Sequence, residues 1–207
     1  MDELKEEITD QVRSMIAGGF YDDEEIQENI MDLFYDEVLD EAWLKEEISR
    51  QYTARLKEQA AWPQETDFDR LARVFDQLNS SGIIALHNAG YTRQDGESDC
   101  GHIYSELKAE GISTRGFCFY HAQDLERVIE GDELYLAFGS FEADSAAVAA
   151  IGEEIIKALA AHGFENKWDH TADTRIAVPG IKWLKRFGNE NCSEDRAVEL
   201  LSNGSIE

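Results

Sequence analysis

The chain has 207 residues, enough for one or two compact units, and its 19 Lys and Arg against 44 Asp and Glu leave a formal charge of −25 at pH 7. Such a charge excludes direct docking on a nucleic-acid backbone or an anionic membrane through a broad basic face, because like charges repel. The hydrophobic fraction, 43%, is ample for a buried core, so global disorder is excluded despite the charge.

Leu4, Ile8, Val12, Met15 and Ile16 recur at helical spacing. Gly18-Gly19 predicts the end of this first helix, since glycine takes the left-handed conformation of a C-cap. Asp22-Asp23-Glu24-Glu25 then supplies a capping side chain and first-turn carboxylates for the next helix. An apolar stripe through Ile26, Ile30, Leu33 or Phe34, Val38 and Ala42, extended by Ile48, Tyr52 and Leu56, predicts one broken helix or two between residues 23 and 61. Twelve acids lie from Asp22 to Glu47 against Lys45 alone. That run reads either as a solvated helix face or as a docking surface for a basic protein partner. Trp62-Pro63 marks a boundary, because proline pushes the residue before it out of helical geometry.

Beyond it, helix and strand alternate. Phe68, Leu71, Phe75 and Leu78 predict an amphipathic helix ending at Ser81-Gly82, and the unbroken apolar run Ile83-Ile84-Ala85-Leu86 a buried strand. A helix through Cys100, Ile103, Tyr104 and Leu107 follows, then a strand over 117–120, a short helix over 125–129 and a strand over 134–138. A long helix carries Val148, Ile151, Ile155 and Leu159, and residues 164–168 and 175–178 read as two last strands. With the short insert set aside, this order predicts an α+β fold of the ferredoxin-like, split βαβ kind, an antiparallel sheet with an extra C-terminal strand. The expected organisation is an acidic helical region over 1–62, a ferredoxin-like domain over 66–188 and a polar C-terminal tail over 189–207. Ile181-Lys182-Trp183-Leu184-Lys185-Arg186-Phe187 is the one basic, aromatic patch, expected to find the acidic helices within the chain or across a homodimer.

In a split βαβ sheet the first two strands run parallel with the third between them. His87 and His121, each just past a strand, would then share one edge about 10 Å apart. That edge, with the loop running to Gly96, is the candidate ligand site: His87, Asn88, Tyr91, Asp95, His121, Gln123 and Asp124. Several chemistries compete for it. Asp99, Cys100 and His102 are weak metal candidates, but Cys-Gly-His is no established ligand spacing and no CxxC or HExxH exists, so no metal is expected. Cys100 or Cys118 could pair with a histidine as a nucleophile, yet both fall within apolar stripes and read as small hydrophobes. His87 and His121 could act as an acid–base pair, or simply cap strand ends. Phosphate-loop, dinucleotide and nucleophile-elbow motifs are absent, and no cofactor is expected. The expectation is a non-catalytic binding or regulatory protein for a basic partner or a small ligand; the alternative is a hydrolase-like enzyme using His87 and His121. Three cysteines argue against a disulfide framework, and the first residues lack the basic start and apolar run of a secretion signal, so the cytoplasm is the expected compartment.

Thr66-Asp67-Phe68-Asp69-Arg70-Leu71, Ser81-Gly82-Ile83-Ile84-Ala85, the segment Phe119-Tyr120-His121-Ala122-Gln123-Asp124-Leu125-Glu126-Arg127 and Leu134-Tyr135-Leu136-Ala137-Phe138-Gly139 resemble a bacterial family of unknown function over most of the chain. The resemblance brings no activity with it. It implies several cysteines in the loop before the second helix of the sheet domain, where residues 88–101 keep only Cys100, so a metal held by such cysteines would be lost here. In architecture the chain is more loosely similar to the acidic regulator of RNase E activity known as regulator B. That likeness rests on the acidic helical start, a ferredoxin-like domain and a late strand with tryptophan, and implies inhibition of a basic, nucleic-acid-processing partner.

Overall fold

The structure, a computed structural model, describes residues 2–142, 144–188 and 192–204. Among these residues the fold is α+β, with eight helices and one four-stranded mixed sheet. It divides into two compact units, Met1–Thr66 with Trp183–Asn189, and Asp67–Lys182 with Glu190–Glu207.

The first unit holds α1 (Asp2–Gly18), α2 (Asp23–Leu33) and α3 (Glu41–Gln59). Ile8, Val12 and Ile16 of α1 share a core with Ile26, Ile30, Phe34, Leu44 and Ile48. Asp22 starts α2 through a reciprocal capping box with Glu25. Asp40 starts α3 anew, its carboxylate accepting from the Trp43 N–H at 3.1 Å. The expected apolar stripe breaks between these caps. Phe34, not Leu33, enters the core, and Val38 is 98% exposed, because α2 stops and the second cap resets the helical phase.

The basic patch joins this unit from Trp183 onward, within the same chain. Trp183 Nε1 donates to the Gly18 carbonyl at 3.1 Å, Lys185 Nζ to that of Gly19 at 2.6 Å, and Phe187 stacks on Tyr52 at 4.1 Å. The cation thus sits at the C-terminal end of α1, where carbonyls lack helical partners and the helix dipole is negative. Residues 183–188, expected with the sheet, therefore pack with the helices.

The second unit runs α4 (Asp67–Ser80), β1 (Ile83–Leu86), α5 (Arg93–Ala109), β2 (Gly116–Phe119), α6 (Ala122–Ile129), β3 (Leu134–Ser140), α7 (Ser145–Ala161), β4 (Ile176–Val178) and α8 (Glu194–Gly204). Strand order corrects the ferredoxin-like expectation. That arrangement needs β3 between β1 and β2, whereas β1 pairs directly and in parallel with β2, Leu86 opposite Phe119. β3 then adds antiparallel to β2, and β4 antiparallel to β3. Of the expected strand over 164–168, only Lys167 bridges the sheet, to Ala177.

α5 and α8 cover the face presenting Ile84, Leu86 and Phe119, while Ile151 of α7 packs over Gly116 on the other. Part of the expected polar tail is thus the helix α8, since Ala197 and Leu201 lie four apart on one buried face. Asn79 of α4 seals the edge strand: its Oδ1 accepts from Ala85 N–H at 2.8 Å and its Nδ2 donates to Ala85 C=O at 3.0 Å. No helix among the described residues is long and apolar enough to cross a membrane.

Candidate functional site

The parallel β1–β2 ladder continues past both strands. Ala89 N–H donates to Tyr120 C=O at 2.9 Å, and Ala122 N–H to Gly90 C=O at 3.1 Å. These bonds knit the β1–α5 turn to the β2–α6 turn and gather the expected ligand residues at one sheet edge. The turn is shorter than expected, because α5 begins at Arg93 under a capping box between Thr92 and Asp95. Asn88 takes a left-handed conformation, φ 50°, as does Gly90 at φ 60°, where a Cβ would fall 2.3 Å from that of Asp95. Hydrogen bonds from the Thr92 main chain and hydroxyl hold the Asp95 carboxyl below its ordinary value. Tyr91 stands exposed, and Gln123 is half-buried.

The two histidines do not pair with each other. His87, in register with Tyr120, shares a 3.0 Å hydrogen bond between its Nδ1 and the tyrosine hydroxyl, and its ring stacks on Phe75 at 4.1 Å. Tyr120 is fully enclosed, and burial pushes its phenol well above the ordinary value, so the hydroxyl stays protonated. His121 turns into α6 and caps it. Its Nδ1 accepts from Asp124 N–H at 3.4 Å, while Nε2 lies 3.0 Å from Asp124 Oδ2. One tautomer satisfies both contacts, with the proton on Nε2. Burial holds the imidazole below its ordinary value, and the Asp124 carboxylate only partly opposes this.

Asp124 is wholly buried, and its charge is met by a residue 51 positions away. Arg175 Nη1 donates to both carboxylate oxygens, at 2.9 and 3.1 Å, and its guanidinium lies over Tyr135 at 4.8 Å. Arg127 approaches more loosely, at 3.8 Å. Sequence reasoning missed Arg175 and Tyr120; the one available signal was Tyr120 standing next to His121. The edge thus contains a neutral imidazole with both nitrogens engaged and a carboxylate neutralised by arginine. That chemistry favours fixing two turns and a strand over taking a proton from a substrate.

The remaining candidates scatter. Cys100 is buried with Ile84 and Phe119, and Cys118 lies on the opposite sheet face, so the two do not share a site. Burial raises both thiols, which keeps them protonated. Asp99 is half-buried with its carboxyl raised by desolvation, and exposed His102 faces Glu106 at 3.3 Å. Among the described residues, no group of three or more His, Cys, Asp or Glu is placed to hold a metal.

One family model, described as Domain of unknown function (DUF6891), matches residues 1–187. The chain belongs to that family. The DUF6891 match takes in the helical unit and all four strands, and α8 lies beyond it. No curated protein and no solved structure matches the chain. Membership in DUF6891 attaches no activity to these residues, so their role rests on their own chemistry.

Proposed function

We propose that this DUF6891 protein is a non-catalytic binding or regulatory module whose acidic helical unit docks a basic protein partner in the cytoplasm. The observation that carries the reading is the surface of α2, the following connection and the start of α3. Of the twelve acids from Asp22 to Glu47, all but Glu47 are exposed, and Lys45 is the only base in the run. Such a field accelerates encounter with a cation-rich surface and repels nucleic acid. The test is affinity purification of the tagged full chain from its own cells at low and high salt. A basic protein retained at low salt and released at high salt is the expected result; recovery independent of salt refutes charge-led docking.

A second reading, a small polar ligand at the sheet edge, is favoured by Asn88, whose Oδ1 is buried and meets no hydrogen-bond donor among the described residues. A ligand N–H or O–H donating there would satisfy it. Screening small molecules by melting temperature tests this, the expected hit losing its effect in Asn88→Ala. The enzyme alternative draws less support, since His87 and His121 each engage a different partner.

A further inference from the structure

We propose that the basic partner docks at the last turn of α2 and the connection that follows it, residues 31–40, through a cationic segment carrying an apolar face. This rests on the docking reading above and names its surface. Six large hydrophobic residues are exposed among the described residues, and four of them fall here: Met31 at 38%, Leu33 at 53%, Tyr35 at 83% and Val38 at 98%. Exposed apolar residues scattered singly are ordinary, whereas a cluster rimmed by polar groups marks an interaction surface.

The cluster is displayed on a fixed frame. Phe34, between Leu33 and Tyr35, is buried in the helical core, and its N–H donates to Ile30 C=O at 3.1 Å. Glu37 N–H closes a turn on Phe34 C=O at 3.0 Å, and the Asp40 cap fixes the exit into α3. With Phe34 pinned inward, its two neighbours are left on the solvent side.

Charge selects the occupant. Asp32, Asp36, Glu37 and Asp40 are exposed and interleave with the apolar side chains, and no base occurs between Asp22 and Lys45. A second copy of the chain would bring these carboxylates against their own counterparts, and an anionic membrane or a nucleic acid would meet the same repulsion. A Lys- or Arg-rich segment with an apolar face satisfies both features, its hydrophobic side chains covering Tyr35 and Val38 and its cations reaching the surrounding acids.

The experiment is an NMR titration of the full chain with two synthetic probes, an amphipathic leucine–lysine peptide and an oligolysine of equal charge. The leucine–lysine peptide is expected to shift amides of residues 31–40 at low salt and to bind more tightly than oligolysine. Tyr35→Ser with Val38→Ser, at sites too exposed to affect folding, is expected to weaken that peptide about tenfold or more and to leave oligolysine unchanged. Leu56→Ser, an isolated exposed apolar residue, serves as the neutral control. Shifts centred elsewhere, or no loss in the double variant, overturn the placement and leave charge-led docking standing. Failure of both peptides to bind at low salt overturns the docking reading as well. Self-association abolished by the double variant would make a second copy the occupant and overturn the basic segment.

Discussion

Removing Arg175 tests whether the sheet edge is a structural network. Asp124 has no exposed surface, and Arg175 contacts both of its carboxylate oxygens, at 2.9 and 3.1 Å. Breaking one side of a buried pair strands a charge, at a cost of about 3–5 kcal/mol. Here His121 Nε2 at 3.0 Å and Arg127 at 3.8 Å remain, and the Arg175 side chain is 27% exposed, which places Arg175→Met at the lower end, about 3 kcal/mol. Asp124→Asn keeps the shape and removes the charge; Arg175 can then turn to water, so about 1–2 kcal/mol is lost. The double variant should cost little more than Asp124→Asn alone, giving a coupling of about 2 kcal/mol. Urea unfolding of all four proteins, followed by circular dichroism, measures the cycle. A loss below about 1 kcal/mol for Arg175→Met, or two penalties that simply add, refutes the network.

Three further perturbations probe neighbouring parts. Because burial lowers His121 from 6.5, the unfolded ring takes up a proton before the folded one, so stability should fall as pH drops through about 6.5. Asp124, Arg175, Arg127 and Asp95 are the charges that act on the ring. His121→Asn, which keeps a capping side chain, should lose less stability than the parent between neutral and mildly acid pH in thermal melts, and parallel curves would contradict the assignment. Asn79→Ala strips both hydrogen bonds from Ala85 in a site 3% exposed, at an expected cost of about 3 kcal/mol by urea titration; a loss under about 1 kcal/mol would show that water replaces the side chain. Gly96→Ala gains about 1 kcal/mol of helix propensity, but its Cβ would fall 2.4 Å from the Phe119 ring and 2.8 Å from Ala89 C=O, so a net loss of about 2 kcal/mol is expected. A stabilised variant would show that the ring can move aside.

Local pattern carried most of the fold. Ile8, Val12 and Ile16, and likewise Phe68, Leu71, Phe75 and Leu78, are buried as their spacing predicts. Strand order was not legible, because the alternation of helix and strand is the same whether β3 inserts between β1 and β2 or adds outside them. Only the register of Leu86 with Phe119 decides it. Val38 misled for a different reason: helical periodicity runs across a gap without registering that Asp40 caps a new helix. The site was half legible. His121 and Asp124 stand three apart at the start of a helix, where side-chain capping is visible in sequence, but nothing near Asp124 announces an arginine 51 residues later.

Where the cations go separates the part of the molecule that holds the fold from the part that faces a partner. Arg175 neutralises Asp124, Arg115 grips Glu154, Arg70 bridges Asp67 to the carbonyl of His162, and Lys185 ends on Gly19 C=O. Each ties together segments far apart in the chain. The acids at the end of α2 serve no comparable purpose: α2 has no basic residue in its last turn, and Asp32 sits there against the negative end of the helix dipole. Neutralising Asp32, Asp36 and Glu37 as Asp32→Asn, Asp36→Asn and Glu37→Gln should therefore leave stability unchanged or raise it by about 0.3–1 kcal/mol, through relief of repulsion and of the dipole. The same variant should bind the leucine–lysine peptide more weakly and with a shallower salt dependence. A loss of more than about 1 kcal/mol in urea unfolding would mean that these acids maintain the fold, and their exposure would no longer point to a partner.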